Sequence, residues 1–264
     1  MRAVTRPNLS RRVIVPGMKA FALVVAVLLG LVSASAAGAA DRLGRRTVVL
    51  GHSVDGRVIT AVEIGDLDSP WRALVVGCIH GNEPAGIAIA QRLARMAPPS
   101  ELDLWIVADL NPDGVAASTR QNAHHVDLNR NFPFRWESLG GYFYSGPRPQ
   151  SEPESRIAYR LISKVRPQVA IWFHQHLDVV DESGGSLAVE RRFAALVGLP
   201  LARLAREPGS AIGWENHVVP SGTAFAVELP AGALSPAAVD RFSRAVLAVS
   251  REGVGRSVEP RPTP

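Results

Sequence analysis

His80 and Glu83 stand in the stretch His80-Gly81-Asn82-Glu83, where the apolar run Ala73 to Ile79 stops abruptly. One imidazole and one carboxylate are two of the usual three protein ligands of a catalytic zinc. A helix-like stretch follows, from about Pro84 to Met96. Potential metal ligands thus fall where a buried strand gives way to a helix, the place where open α/β sheets put their ligand crevices. A third ligand must come from far along the chain. A second buried strand, Gln168 to Phe173, runs into His174-Gln175-His176, and a third, Thr223 to Leu229, ends in Glu228-Leu229-Pro230. His80, Glu83 and His174 would form a His₂Glu zinc site with one open position. His174 is preferred to His176, which lies on the same side of an extended strand. Glu228 would be the general base that moves a proton from water to a leaving amine.

The elements that position these residues can be read from pattern. Thr47 to Leu50 and Val58 to Ile64 predict two opening strands, split by the hairpin signal Asp55-Gly56. Ile87, Ala90, Leu93 and Ala94 recur at helical spacing, and Pro98-Pro99 ends that helix. Leu102 to Leu110 predicts a strand closed by the turn signal Asn111-Pro112-Asp113-Gly114. Ser151 to Glu154 has capping-box spacing and predicts a helix to about Val165. Further helices are expected from Glu190 to Arg206 and, capped by Ser235, to about Val249. Alternating strands and helices predict a single α/β domain, with a mixed, mainly parallel, doubly wound sheet and helices on both faces.

From Val115 to Gln150 no period appears, and an aperiodic stretch of this length inside a domain is usually functional. It holds Thr119-Arg120-Gln121-Asn122 and Val126-Asp127-Leu128-Asn129-Arg130-Asn131-Phe132. Two arginines and an asparagine near a metal suit a terminal carboxylate and a developing oxyanion, because guanidinium grips carboxylate as a bidentate fork.

On these motifs, with Ser145-Gly146-Pro147 and Phe225-Ala226-Val227-Glu228 added, the chain resembles the M14 zinc carboxypeptidases. It looks most like their compact bacterial murein peptide amidase branch. The resemblance implies one zinc per chain on His80, Glu83 and His174. It implies that Arg120 polarises the scissile carbonyl and that Asn129 and Arg130 hold the substrate's terminal carboxylate. Glu228 is then the base, and Asp127 orients His80 from behind. The implied substrate is a peptide of the murein type, with γ-D-glutamyl–diaminopimelate the leading bond. A general L-peptide carboxypeptidase is one alternative. Another is an N-acyl amino acid deacylase of the succinylglutamate desuccinylase or aspartoacylase type, which also carries His-Gly-Asn-Glu. Two departures stand out. No tyrosine follows Tyr159, so the family's mobile tyrosine has no counterpart unless Trp214 or His217 fills its place. His124-His125 stands where glycine is common at the second position.

Composition narrows the classes. Residues 1–40 carry Arg2, Arg6, Arg11, Arg12 and Lys19 with no acid, then an apolar run and the small-residue site Ala37-Gly38-Ala39. This is the order of a secretory signal peptide, with Met1 or Met18 as its start and a weak twin-arginine hint at Arg11-Arg12. Export to a secreted, periplasmic or cell-wall space is expected, with no stable membrane span after cleavage. The leader accounts for the whole formal charge of +5, which leaves a neutral remainder and no case for nucleic acid. The sole cysteine, Cys78, permits no internal disulfide and reads as a buried strand residue. The catalytic domain is placed at 41–252 and a disordered tail at 253–264.

Overall fold

Alternation of apolar residues on both faces of short strands demands helices on both sides, and the computed structural model has that arrangement. It describes residues 43–251, so the proposed leader and the tail from 253 lie outside the described residues. Strands β1 (Leu43–His52) and β2 (Val58–Asp66) form the opening hairpin. β3 (Arg72–Val76) leads through the His80 turn to α1 (Ala85–Arg95), then β4 (Asp103–Val107) and the short α2 (Pro112–Ala117). After the long loop come α3 (Pro153–Val165), β5 (Val169–Gln175) and β6 (Val179–Asp181). The chain closes with α4 (Leu187–Val197), β7 (Leu201–Ala202), α5 (Ala211–Val218), β8 (Thr223–Leu229) and α6 (Pro236–Arg251).

The sheet has eight strands in the order β1-β2-β4-β3-β5-β8-β6-β7. Its centre, β4-β3-β5-β8, is parallel, whereas β2 joins β4 and β6 joins β8 antiparallel. Side chains alternate between two cores. Ala73, Val75, Ile171 and Val227 pack under α1, α4 and α6. Leu74, Val76, Ala170, Trp172 and Ala224 pack under α3, α5 and the long loop. His174 continues the Ala170–Trp172 series and Glu228 the Ala224–Ala226 series, so both emerge on the long-loop face.

Several boundaries differ from expectation for local reasons. Asn111-Pro112-Asp113-Gly114 is the start of a helix rather than a turn: the Asn111 side chain accepts from the Gly114 amide at 3.0 Å, and Pro112 takes the first helical position. The capping box at Ser151 does not form. Ser151 donates to Glu152 Oε1 instead, and Glu154 accepts from the Val54 amide and Asn122. The helix expected from 190 to 206 begins at Leu187 and stops at Val197. Gly198, at φ +74, caps it, and the chain turns back to lay β7 beside β6. β6 and α5 were not legible, being short and weakly periodic.

Beneath the sheet lies a buried carboxyl with an unpartnered oxygen. Glu215 of α5 is 2% exposed and accepts from Trp172 Nε1 at 2.8 Å, while its Oε1 has no partner among the described residues. Burial pushes its carboxyl up to about 8. The folded state therefore holds a proton that the unfolded chain releases near pH 4.5. This contribution is intact below that pH and is lost progressively as pH rises toward 8. Glu215→Gln, which keeps an acceptor for Trp172, should flatten the fall in Tm between pH 5 and pH 8. Equal slopes for the variant and the parent protein in a thermal melt would count against a protonated Glu215.

Candidate functional site

The turn that follows β3 is shaped by close backbone approach. A Cβ on Gly81 would come within 1.9 Å of the Gly114 carbonyl carbon, so only glycine lets the turn pack on α2. That packing sends His80 and Glu83 toward the end of β5. His80 Nδ1 is 2.9 Å from Glu83 Oε2, His174 Nδ1 is 3.0 Å from the same oxygen, and the two ring nitrogens are 3.2 Å apart. All three residues are buried, and their donor atoms lie within 4.8 Å of one another.

The chemistry of this set fits a cation. His80 Nε2 faces Asp127 Oδ1 at 3.1 Å, so its proton belongs on that nitrogen and Nδ1 presents a lone pair. A carboxylate oxygen and two imidazole nitrogens then point at one small volume, an arrangement that draws in positive charge. The direction of the His80 shift agrees: burial disfavours imidazolium, yet Asp127 and Glu83 raise its pKa. Glu83 stays far below the usual carboxylate range, because the close approach of the His174 and His80 rings outweighs the penalty of burial.

Asp127 is fully buried. It accepts from the Asn129 amide and from Arg120 Nε, each at 2.9 Å, besides facing His80. Arg120 also reaches Glu83 Oε1 through Nη1 at 3.0 Å, and its guanidinium lies 5.4 Å from the Tyr142 ring centre. Arg130 is 5% exposed. It meets Glu207 Oε2 through Nη2 at 3.1 Å and stacks 5.2 Å from Phe143, while its Nε has no partner among the described residues. Asn129 accepts from the Ala211 amide at 2.9 Å, which ties the loop to the start of α5 and leaves its side-chain NH₂ to donate.

Glu228 stands directly opposite His174 in the β5–β8 pairing. Its Oε2 is buried without a partner among the described residues. Burial raises its pKa against the pull of His174, and Glu83 adds to the rise. Glu228, His80, Glu83, His174, Arg120 and Arg130 all line one cleft of about 580 Å³.

His176 lies on the rim of this cleft, exposed, outside the three-residue donor cluster. Neither Trp214 nor His217 fills the tyrosine's place. Trp214 is buried in stacking with Tyr159 at 4.5 Å, and His217 stacks on Phe134 at 4.2 Å; neither lines the cleft. The aromatic residue that does is Tyr142, upstream in the long loop. His124 pairs with Glu152 at 2.8 Å and His125 is exposed, both away from the cleft. Cys78 lies buried behind the ligand turn, its thiol donating to the His80 carbonyl at 3.1 Å, and burial raises its pKa. Sequence reasoning missed Gln175, whose side chain accepts from the Ala85 amide while its backbone N–H donates to Glu83 Oε2 at 3.3 Å. It also missed Asp181, Arg206 and Glu207, which line the same cleft and which no motif marks.

Residues 42–180, just over half of the chain, match the zinc carboxypeptidase family. The chain belongs to that family. The match spans all three clustered donors and ends before Glu228. Murein peptide amidase A of Escherichia coli K12 is 31% identical over 123 residues, covering 41% of this chain and 51% of the relative. The chain thus spans about half the length of the curated relatives it matches. In fold, it is similar to the murein-tripeptide amidase of Escherichia coli O157, with a TM-score of 0.60 at 24% identity, over 79% of this chain and 92% of that one. It is also similar to a succinylglutamate desuccinylase from Silicibacter, with a TM-score of 0.56 at 19% identity, over 79% and 67%.

If Asp127 sets the tautomer of His80, Asp127→Asn should weaken zinc binding by roughly 10–100-fold while leaving circular dichroism unchanged. Competition against a chromophoric chelator measures this, and unaltered affinity would remove Asp127 from the support of the site.

Proposed function

We propose that the chain is a zinc-dependent carboxypeptidase or amidase that hydrolyses an amide bond beside a free carboxylate, with cell-wall peptides as its substrates. The observation that carries this reading is Glu228: a buried carboxylate with an unpartnered oxygen, set across one strand pair from His174 in a cleft that also holds Arg120 and Arg130. His80, Glu83 and His174 would hold a zinc ion, which when bound would supply a Lewis acid and a water activated at neutral pH.

The chain's own residues do the rest. Glu228 takes a proton from the attacking water and passes it to the leaving amine, so one water is consumed and an acid and an amine are released. Its raised pKa suits a group that must both accept and return a proton. Arg120 lies beside Glu83 and steadies charge on the scissile carbonyl oxygen. Arg130 takes the free carboxylate next to the cleaved bond; in the resting protein that place is held by another carboxylate, Glu207. The NH₂ of Asn129 adds a second donor. The likeness to murein peptide amidases supports the choice of cell-wall peptide, and the basic leader supports export to where such peptides occur.

Zinc-loaded protein incubated with L-Ala-γ-D-Glu-diaminopimelate should release free diaminopimelate, read by mass spectrometry, and a chelator should stop it. No release from protein that retains zinc, with turnover of ordinary L-peptides or N-succinylglutamate instead, would replace this reading with the general carboxypeptidase or the deacylase. Glu228→Gln should keep its zinc and its Tm but lose turnover by roughly 10²–10⁴-fold. A variant with near-normal kcat would exclude Glu228 as the base.

A further inference from the structure

The same cleft is lined by a third arginine, Arg206, that the proposed chemistry leaves unused. Arg206 lies between β7 and α5, its side chain 43% exposed. It is held from behind: Nη1 donates to Asp181 Oδ2 at 2.7 Å, and Nη2 donates to the Glu182 carbonyl. Asp181 is 5% exposed, and three of its roughly four acceptor sites are taken. Its Oδ2 also accepts from Ser183 Oγ at 2.6 Å, and its Oδ1 accepts from the Leu204 amide at 2.8 Å. A buried carboxylate is thus spent on fixing one guanidinium. Of the five N–H groups of that guanidinium, two are used among the described residues, which leaves three to donate.

The sheet sets where this arginine stands. β6 runs antiparallel to β8 with Val179 opposite Glu228 and Val180 opposite Val227, so the next step brings Asp181 alongside Ala226. Asp181 and Glu228 therefore share a face, two residues apart along the sheet, or about 7 Å. Ala226, Ile212, Gly213 and Leu204 line the cleft with them and offer a wall of small and aliphatic groups. The acid next along the chain, Glu207, is occupied by Arg130. Aliphatic groups and a fixed cation therefore line the same cleft as Glu228.

We propose that Arg206, anchored by Asp181, reads a carboxylate at the far end of the leaving residue's side chain. This rests on the amidase reading above and sharpens it. The cleft selects a leaving amino acid with one carboxylate for Arg130 and a second, several methylenes away, for Arg206. Diaminopimelate has that form, and lysine is the same residue without the distal carboxylate.

The pair of substrates tests the assignment. The kcat/KM of the zinc-loaded protein is measured on L-Ala-γ-D-Glu-meso-diaminopimelate and on L-Ala-γ-D-Glu-L-Lys, for the parent protein, R206Q and R206K. A hydrogen bond to a charged group is worth roughly 10–100-fold, so the parent should favour diaminopimelate by at least that factor. R206Q should erase the preference by losing diaminopimelate turnover, with the lysine peptide changed by less than about threefold, and R206K should recover part of it. A parent protein that cleaves both peptides equally, or an R206Q variant that loses both in proportion, would overturn the assignment and make Arg206 a strut of the cleft wall. Failure of the parent to cleave either peptide would instead overturn the amidase reading, and the assignment with it.

Discussion

Two buried carboxylates, Glu83 and Asp127, face opposite nitrogens of one imidazole, and the rest of the molecule answers to that concentration of negative charge. Neither acid could stay ionised in such a place without compensation, because burial alone would protonate both. Arg120 bridges them from one side, and His174 approaches Glu83 from another. The groups that meet these two acids come from three distant parts of the sequence, so the site exists only once β3, β5 and the long loop are in register. The site is built by the same pairings that build the sheet, and loosening one would strand a buried charge in the other.

The two faces of the sheet divide the labour. One is covered by α1, α4 and α6 in a continuous apolar core that includes Phe193, Phe225 and Phe242. On the other, α3 and α5 cover only part, and the aperiodic segment fills the remainder. That segment is ordered by polar side chains rather than by a ladder: Asn131 reaches the carbonyls of Ser145 and Arg148, and Asn122 reaches Glu152 and Glu154. Irregular backbone buried this deeply needs such partners for each polar group. It can then present Arg120 and Arg130 to the cleft with Asp127 buried behind them.

What the sequence revealed follows from how locally each feature is written. The apolar runs before His80, His174 and Glu228 mark strands, and these candidate site residues come at or just beyond their ends. The arginines and asparagines of the long loop were conspicuous because nothing periodic surrounded them. By contrast, the carboxylate behind Arg206 and the acid on Arg130 are single residues of common type in a stretch of weak pattern. Their meaning lies in the β6–β8 register and in the return of the chain at Gly198, both of which are tertiary. The capping box at Ser151 misled for a related reason. Its glutamate is claimed by Val54 and Asn122, partners distant in sequence.

Cys78, sealed behind the ligand turn, gives this architecture a built-in clock. A thiol that is buried, bonded to the His80 carbonyl and disfavoured as thiolate reacts with an alkylating reagent only when the protein opens around it. As the chain's sole thiol, it makes the rate of labelling a direct readout of breathing at the donor turn, with no engineered probe. Occupancy of the turn by a cation should be felt there as slowed modification, so local stability and binding can be followed on one natural atom.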